Sequence, residues 1–429
     1  MKVFKKGALL SMTKRSNGLV DSVIRLVSKA HAVERSQEKV VNDMAEKKIA
    51  FVGAYERDNF GDLLFALVTD SYLGGYETIY CAPLVGTVDH LLGKSVRDFR
   101  DIFNRDDEID AVWSVGGQLG GARPQSPAHN YPTKPRRGTF GLESPYLPRM
   151  TAFAKTATVP FIVNSVDVSA KHSGNPIQDL RVAAALREAD FVSTRDRASL
   201  RNLERYGVLG TSAPDVVHNV ERIVRQAPKS GEVLVQFTPK HFEPSELEGF
   251  ASWLASSKAL DGKKIVFWAA GLAPNHDSLE VYRDLADRAV EINPNFDYSV
   301  AEERDPREIA RRISAASLVI GTSLHARIVS AAYSIPRVGL DRHKLRSYCS
   351  DWDYEMPFDA HVDNLEDRVM QAWSIADDAC AREARNISHR NALLAVSKLE
   401  ESFSIPAEVR ALRRLRALDQ FAIGLQQLR

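Results

Sequence analysis

The stretch KIAFVGAYERDNFGD, residues 48–62, decides how the chain is read. A continuous apolar run, Lys48–Ala54, gives way to a polar turn and then to the helix-like Leu63–Tyr72. That is the pattern of a strand buried on both faces and feeding a helix. The alternation recurs downstream. Strand Thr78–Ala82, a helix near Val88–Phe99 and strands Ala111–Val115 and Pro160–Val166 follow, then helix Ile177–Arg187, strand Phe191–Thr194 and helix Ala198–Tyr206. Successive units of this kind predict a parallel sheet.

A linker-like Gln226–Glu232, carrying Pro, Gly and Lys, precedes a second series. It comprises strand Val233–Thr238, helix Ser245–Ser256, strand Lys264–Ala270, helices Ser278–Ile292 and Pro306–Ala315, strand Leu318–Gly321, helix Leu324–Tyr333 and strand Arg337–Leu340. At 429 residues the chain exceeds what one core usually supports. The expected class is α/β: two Rossmann-like, doubly wound parallel-sheet domains facing a cleft, with helical N- and C-terminal extensions. The expected boundaries are a basic helical arm at 1–46, domains at 47–225 and 226–375, and a helical tail at 376–429 that crosses back or meets a partner.

A net charge of +1 gives no global reason to expect nucleic acid as a partner, so anion binding must come from locally placed basic groups. Cys81, Cys349 and Cys380 are far apart and odd in number. They form neither a metal spacing nor a disulfide framework, which suits a reducing cytoplasm and predicts no metal. The apolar stretch Gly7–Met12 is too short for a signal-peptide core, and no run of about 18 apolar residues predicts a membrane span. Val20, Ile24, Val27 and Ala30 at helical spacing make the arm a docking or oligomer element first, and a peripheral membrane contact second.

Ligands of open α/β sheets bind beyond the carboxyl ends of the strands, and four such ends carry chemistry-bearing residues. At the first, Gly61 is read as a turn glycine, Asn59 or Asp62 as a helix cap, and Asp62 equally as an acid–base carboxylate. At the second, Gly116 and Gly117 allow close approach of a ligand or another backbone, without the spacing of a dinucleotide or phosphate loop. At the third, Arg195 offers a planar fork to a carboxylate or phosphate, or pairs with Asp196. At the fourth, Thr322-Ser323-Leu324-His325 opens a helix with free N–H groups and a histidine suited to proton transfer.

These segments, in order, resemble the polysaccharide pyruvyl transferase family over about residues 48–350. The resemblance is carried by Asn59–Asp62, the glycine pair, Ser193–Ser199, Ala213–Asp215, and Leu324-His325 followed by Pro336 and Lys344. It implies a GT-B-like fold and transfer of pyruvate from phosphoenolpyruvate to a sugar hydroxyl pair as a ketal, in cell-surface or exopolysaccharide biosynthesis. The donor is a substrate, and no cofactor is expected. The resemblance further implies catalytic His325, Asp62 and Arg195, donor-binding Thr322, Ser323, Leu324, Arg327 and Lys344, and a cleft lined by Asn59, Gly61, Gly116 and Gly117. The acceptor is a saccharide, lipid-linked or polymeric, for which the long loop Ala122–Pro148 is the expected contact. Two positions depart from the family pattern: Ser323 stands where Arg is frequent, and Gln118 replaces a third glycine. Arg327, one helical turn on, is the residue expected to restore the charge. Two alternatives remain open: a sugar-nucleotide glycosyltransferase using Trp268–Asp277, and a non-catalytic member that keeps the cleft.

Overall fold

Seven strands make the first sheet: β1 (Lys47–Val52), β2 (Tyr76–Ala82), β3 (Val96–Asp98), β4 (Ala111–Gly117), β5 (Phe161–Val166), β6 (Phe191–Thr194) and β7 (Thr211–Ser212). Their spatial order is β3-β2-β1-β4-β5-β6-β7, with every pairing parallel. Five more, β8 (Val233–Gln236), β9 (Ile265–Trp268), β10 (Tyr298–Ala301), β11 (Leu318–Gly321) and β12 (Arg337–Gly339), form a second parallel sheet in the order β10-β9-β8-β11-β12. The computed structural model describes residues 47–55, 58–82, 92–98, 109–117, 158–168, 176–272, 276–375 and 377–427. The arm at 1–46, Gln118 and the loop Ala122–Pro148 lie outside the described residues.

The helices are α1 (Phe60–Asp70), α2 (Pro176–Arg187), α3 (Arg197–Arg205), α4 (Pro244–Ser256), α5 (Leu279–Ile292), α6 (Pro306–Ala315), α7 (Leu324–Ala332), α8 (His343–Trp352), α9 (Leu365–Ser374), α10 (Ala379–Phe403) and α11 (Ala407–Gln427). The unbroken apolar run of β1 follows from having helices on both faces. Ile49 and Phe51 pack with Leu63 and Leu64 of α1, while Ala50 and Val52 pack with Val182 and Leu186 of α2. Among the described residues no helix is long and apolar enough to cross a membrane.

The two sheets share one apolar cluster. Phe51, Phe60 and Leu63 from the first join Leu234, Trp268 and Leu324 from the second. Phe60 meets Trp268 edge-on, at 5.7 Å between ring centroids, and its N–H donates to the Ala270 carbonyl at 2.7 Å. An apolar seam of this kind opposes free movement of the halves.

The C-terminal helices cross back onto the first sheet. Asn391 of α10 donates to Asn164 Oδ1 at 2.8 Å, and the Ser388 hydroxyl donates to the Asp215 carbonyl at 2.8 Å. Arg413 of α11 pairs with Asp190 at 2.7 Å. Asn391→Ala is expected to cost about 1–3 kcal/mol, because it strips a donor from buried oxygens. Urea unfolding followed by circular dichroism checks it.

One local expectation is corrected, and three further elements were not anticipated. Val96–Asp98 is a strand rather than the end of a helix. Tyr298–Ala301 is an edge strand that its half-exposed, mixed sequence did not announce. His343–Trp352 and Leu365–Ser374 are helices that no strand–helix alternation required.

Candidate active site at the switch point of both sheets

Strand order reverses between β1 and β4 in the first sheet and between β8 and β11 in the second, and crevices open at such reversals. A cavity of about 280 Å³ lies beyond these strand ends. The first sheet contributes Asn59, Asp62 and Gly117; the second contributes Gln236, Thr322–His325 and Lys344.

Asn59 settles how α1 begins. Its Oδ1 accepts the N–H groups of Gly61 at 3.1 Å and Asp62 at 3.3 Å. With the cap made by Asn59, the Asp62 carboxyl lines the cavity from the first turn. Gly61 is not a turn glycine. It lies within α1, and a Cβ there would fall 1.7 Å from Nδ1 of His325, so the position is reserved for the imidazole ring. Phe65, one turn on, meets the same ring edge-on at 5.0 Å between centroids.

Gly116 and Gly117 have left-handed φ values of 44° and 75°. A Cβ at Gly116 would lie 2.0 Å from the Phe65 ring. The pair therefore makes room chiefly for Phe65, and Gly117 alone of the two lines the cavity, its virtual Cβ 3.5 Å from Asp62 Oδ1.

From the second sheet, Ser323 caps α7: its hydroxyl accepts the Ala326 N–H at 3.3 Å, and its own N–H donates to Gln236 Oε1 at 2.8 Å. The N–H groups of Leu324 and His325 belong to the first turn, which has no intrahelical acceptor for them. Asp277 locks the cavity wall, accepting from Gln236 Nε2 at 2.9 Å, the Thr238 hydroxyl at 2.9 Å and the Ala270 N–H at 2.7 Å. Burial pushes the Asp277 carboxyl up, against the pull of these bonds. Lys344, His241 and His276 add basic side chains to the lining.

His325 is 6% exposed, and its Nε2 lies 3.6 Å from Asp215 Oδ2. Asp215 is fully buried: Oδ1 accepts the Val217 N–H at 2.9 Å, and its own N–H donates to the Tyr348 hydroxyl at 3.0 Å. That hydroxyl also lies 3.0 Å from Nε2 of His218, an imidazole that burial pushes down to about 4.

Four sequence-derived site residues are not in the lining: Gly61 and Gly116, which make room for His325 and Phe65, and two arginines. Arg195 is 2% exposed and turns onto Asp167 and Asp196, the latter at 3.8 Å. Burial opposes its charge, but Asp167, Asp196 and Asp215 outweigh that and hold the guanidinium's pKa above its ordinary value. Arg327 is engaged in the core of the second half. It donates to Asp353 at 2.5 Å, the Pro357 carbonyl at 2.6 Å and the Met356 carbonyl at 2.8 Å. Arg327 therefore does not replace the charge that Ser323 lacks. Conversely, Gln236, Thr238 and His241 were missed as site residues, His276 and Asp277 were covered only by the segment Trp268–Asp277 of the sugar-nucleotide alternative, and Asp215 was noted only as part of an Ala-Pro-Asp sequence. Position in a strand-end segment was the one available signal for them.

Fold and site together define a GT-B-like α/β protein with its cavity between two Rossmann-like sheets. The family model for polysaccharide pyruvyl transferases matches residues 59–344, more than half of the chain. The chain belongs to that family of transferases. Among solved structures it is similar to the UDP-N-acetylglucosamine 2-epimerase from Rickettsia bellii, at 10% identity and a TM-score of 0.50, covering 83% of this chain and 97% of that one. It is also similar to the spinosyn rhamnosyltransferase SpnG, at 12% identity and a TM-score of 0.45, covering 83% and 100%. No curated protein matches the chain significantly.

Proposed function

We propose that the chain transfers pyruvate from phosphoenolpyruvate to two hydroxyls of a saccharide, forming a ketal and releasing phosphate. One observation carries it: His325 of the second half and Asp62 of the first reach the same cavity, which the first turn of α7 and Lys344 also border. A small anionic donor suits this space, since pockets for drug-sized ligands run to roughly 300–1,000 Å³.

Phosphate and carboxylate oxygens of the donor face the α7 N–H groups, where the helix dipole favours negative charge. His325 delivers a proton to the methylene carbon, and C2 becomes oxocarbenium-like. The oxygen of one sugar hydroxyl bonds to C2 while Asp62 takes its proton. The second hydroxyl oxygen then replaces phosphate at C2, its proton passing to the now neutral His325, and Lys344 offsets the charge of the leaving group. The acceptor is a lipid-linked or polymeric precursor of a cell-surface glycan.

Phosphate release that needs both phosphoenolpyruvate and a saccharide acceptor is the expected result. His325→Gln is expected to lower it by roughly 10²–10⁴-fold. Parent-level turnover in His325→Gln would remove the acid role, and acceptor-independent release would remove ketal formation.

A further inference from the structure

We propose that Asp215 is the positioning carboxylate of His325: it fixes which ring nitrogen carries the proton and leaves the other to work on the ligand. Asp215 Oδ2 and His325 Nε2 are both buried, and neither has a hydrogen-bond partner among the described residues. They face each other at 3.6 Å. That separation is just beyond a formed hydrogen bond, and such contacts tighten when a ligand completes the site.

Each partner is held independently. The Asp215 backbone and Oδ1 are fixed by Tyr348, Val217 and Ser388, so Oδ2 alone remains to act. The imidazole rests on Gly61 on one side and on the edge of Phe65 on another. A carboxylate facing Nε2 requires Nε2 to be the donor, so neutral His325 keeps its hydrogen there and presents Nδ1 as the exchanging atom. The same carboxylate stabilises the imidazolium that must exist before a proton is delivered. Asp215 touches neither cavity nor ligand in this arrangement and acts only through the ring. The use made of the Nδ1 proton rests on the pyruvyl-transfer proposal; the pairing itself does not.

Asp215→Asn gives a sharp test. Its amide oxygen keeps the bond from the Val217 N–H, which puts the NH₂ where Oδ2 was. An N–H facing Nε2 forces the ring hydrogen onto Nδ1. Nitrogen-15 NMR of the full-length protein labelled at histidine, with the His325 signals assigned by their loss in His325→Gln, reads the tautomer without any ligand. The expected result is Nε2–H in the parent and Nδ1–H in Asp215→Asn, at a pH where the ring is neutral. Nδ1–H in the parent would overturn the pairing even if the variant failed to fold, and an unchanged tautomer in a folded Asp215→Asn would overturn it as well. A tautomer switch in a protein that binds no phosphoenolpyruvate would leave the pairing standing and remove the donor assignment instead.

Discussion

Replacing Gly61 by alanine is expected to lower phosphate release by about a hundredfold or more while the chain still folds. Helix propensity points the other way, since alanine inside a helix is favoured over glycine by roughly 0.5–1 kcal/mol. The local geometry outweighs it. The new Cβ would sit 1.7 Å from Nδ1 and 2.2 Å from Cγ of His325, so the ring must leave its place. Phe65 blocks retreat on one side and is itself wedged against Gly116. Overpacking of this kind costs about 1–3 kcal/mol, and a displacement of about 1 Å in a reacting group costs on the order of 10²-fold in rate. Gly74→Ala is the control, because a Cβ there meets nothing within 4 Å and activity should be unchanged. Steady-state kinetics and urea unfolding on both variants check the pair.

Asp353→Ala is expected to cost about 3–5 kcal/mol of stability, because it strands two buried guanidinium groups. Arg327 of α7 and Arg337 of β12 both pair with Asp353, and Arg337 also donates to Asp378, 2.6 Å away beside the start of α10. All four side chains are at most 5% exposed. The cluster thus ties the helix that carries His325 to the sheet and to the returning tail. Burial opposes the Asp353 charge, yet Arg327 and Arg337 outweigh it and hold its carboxyl below the usual carboxylate range. A folded-state pKa lowered in this way contributes stability that is fully present above about pH 4 and is lost as pH falls through the lowered value. The urea midpoint of the parent should therefore fall with acid below about pH 4. Asp353→Ala should start lower and lack this part of the decline.

Both sheets were legible because their strands are buried on two faces and so read as unbroken apolar runs. Phe191–Thr194 and Leu318–Gly321 were placed residue for residue on that signal. Tyr298–Ala301 escaped because an edge strand of half-exposed residues carries no such run. Strand ends located the cavity, since the side of a parallel sheet that binds ligands follows from topology alone. The purpose of the glycines was not legible. Gly61 and Gly116 are empty for the sake of His325 and Phe65, and the first of these lies far away in sequence. The engagement of the arginines was not legible for a related reason. A guanidinium in a sequence carries its charge openly, but its partners, Asp167 for Arg195 and Asp353 for Arg327, are supplied by folding.

Calorimetric titration of phosphoenolpyruvate into the full-length protein, beside a titration of UDP-N-acetylglucosamine, tests the donor assignment most directly. One phosphoenolpyruvate should bind per chain, Lys344→Met should weaken that binding at least tenfold, and the nucleotide sugar should give no heat of binding. Saturable binding of UDP-N-acetylglucosamine with none of phosphoenolpyruvate would contradict a cavity built for a small enol phosphate.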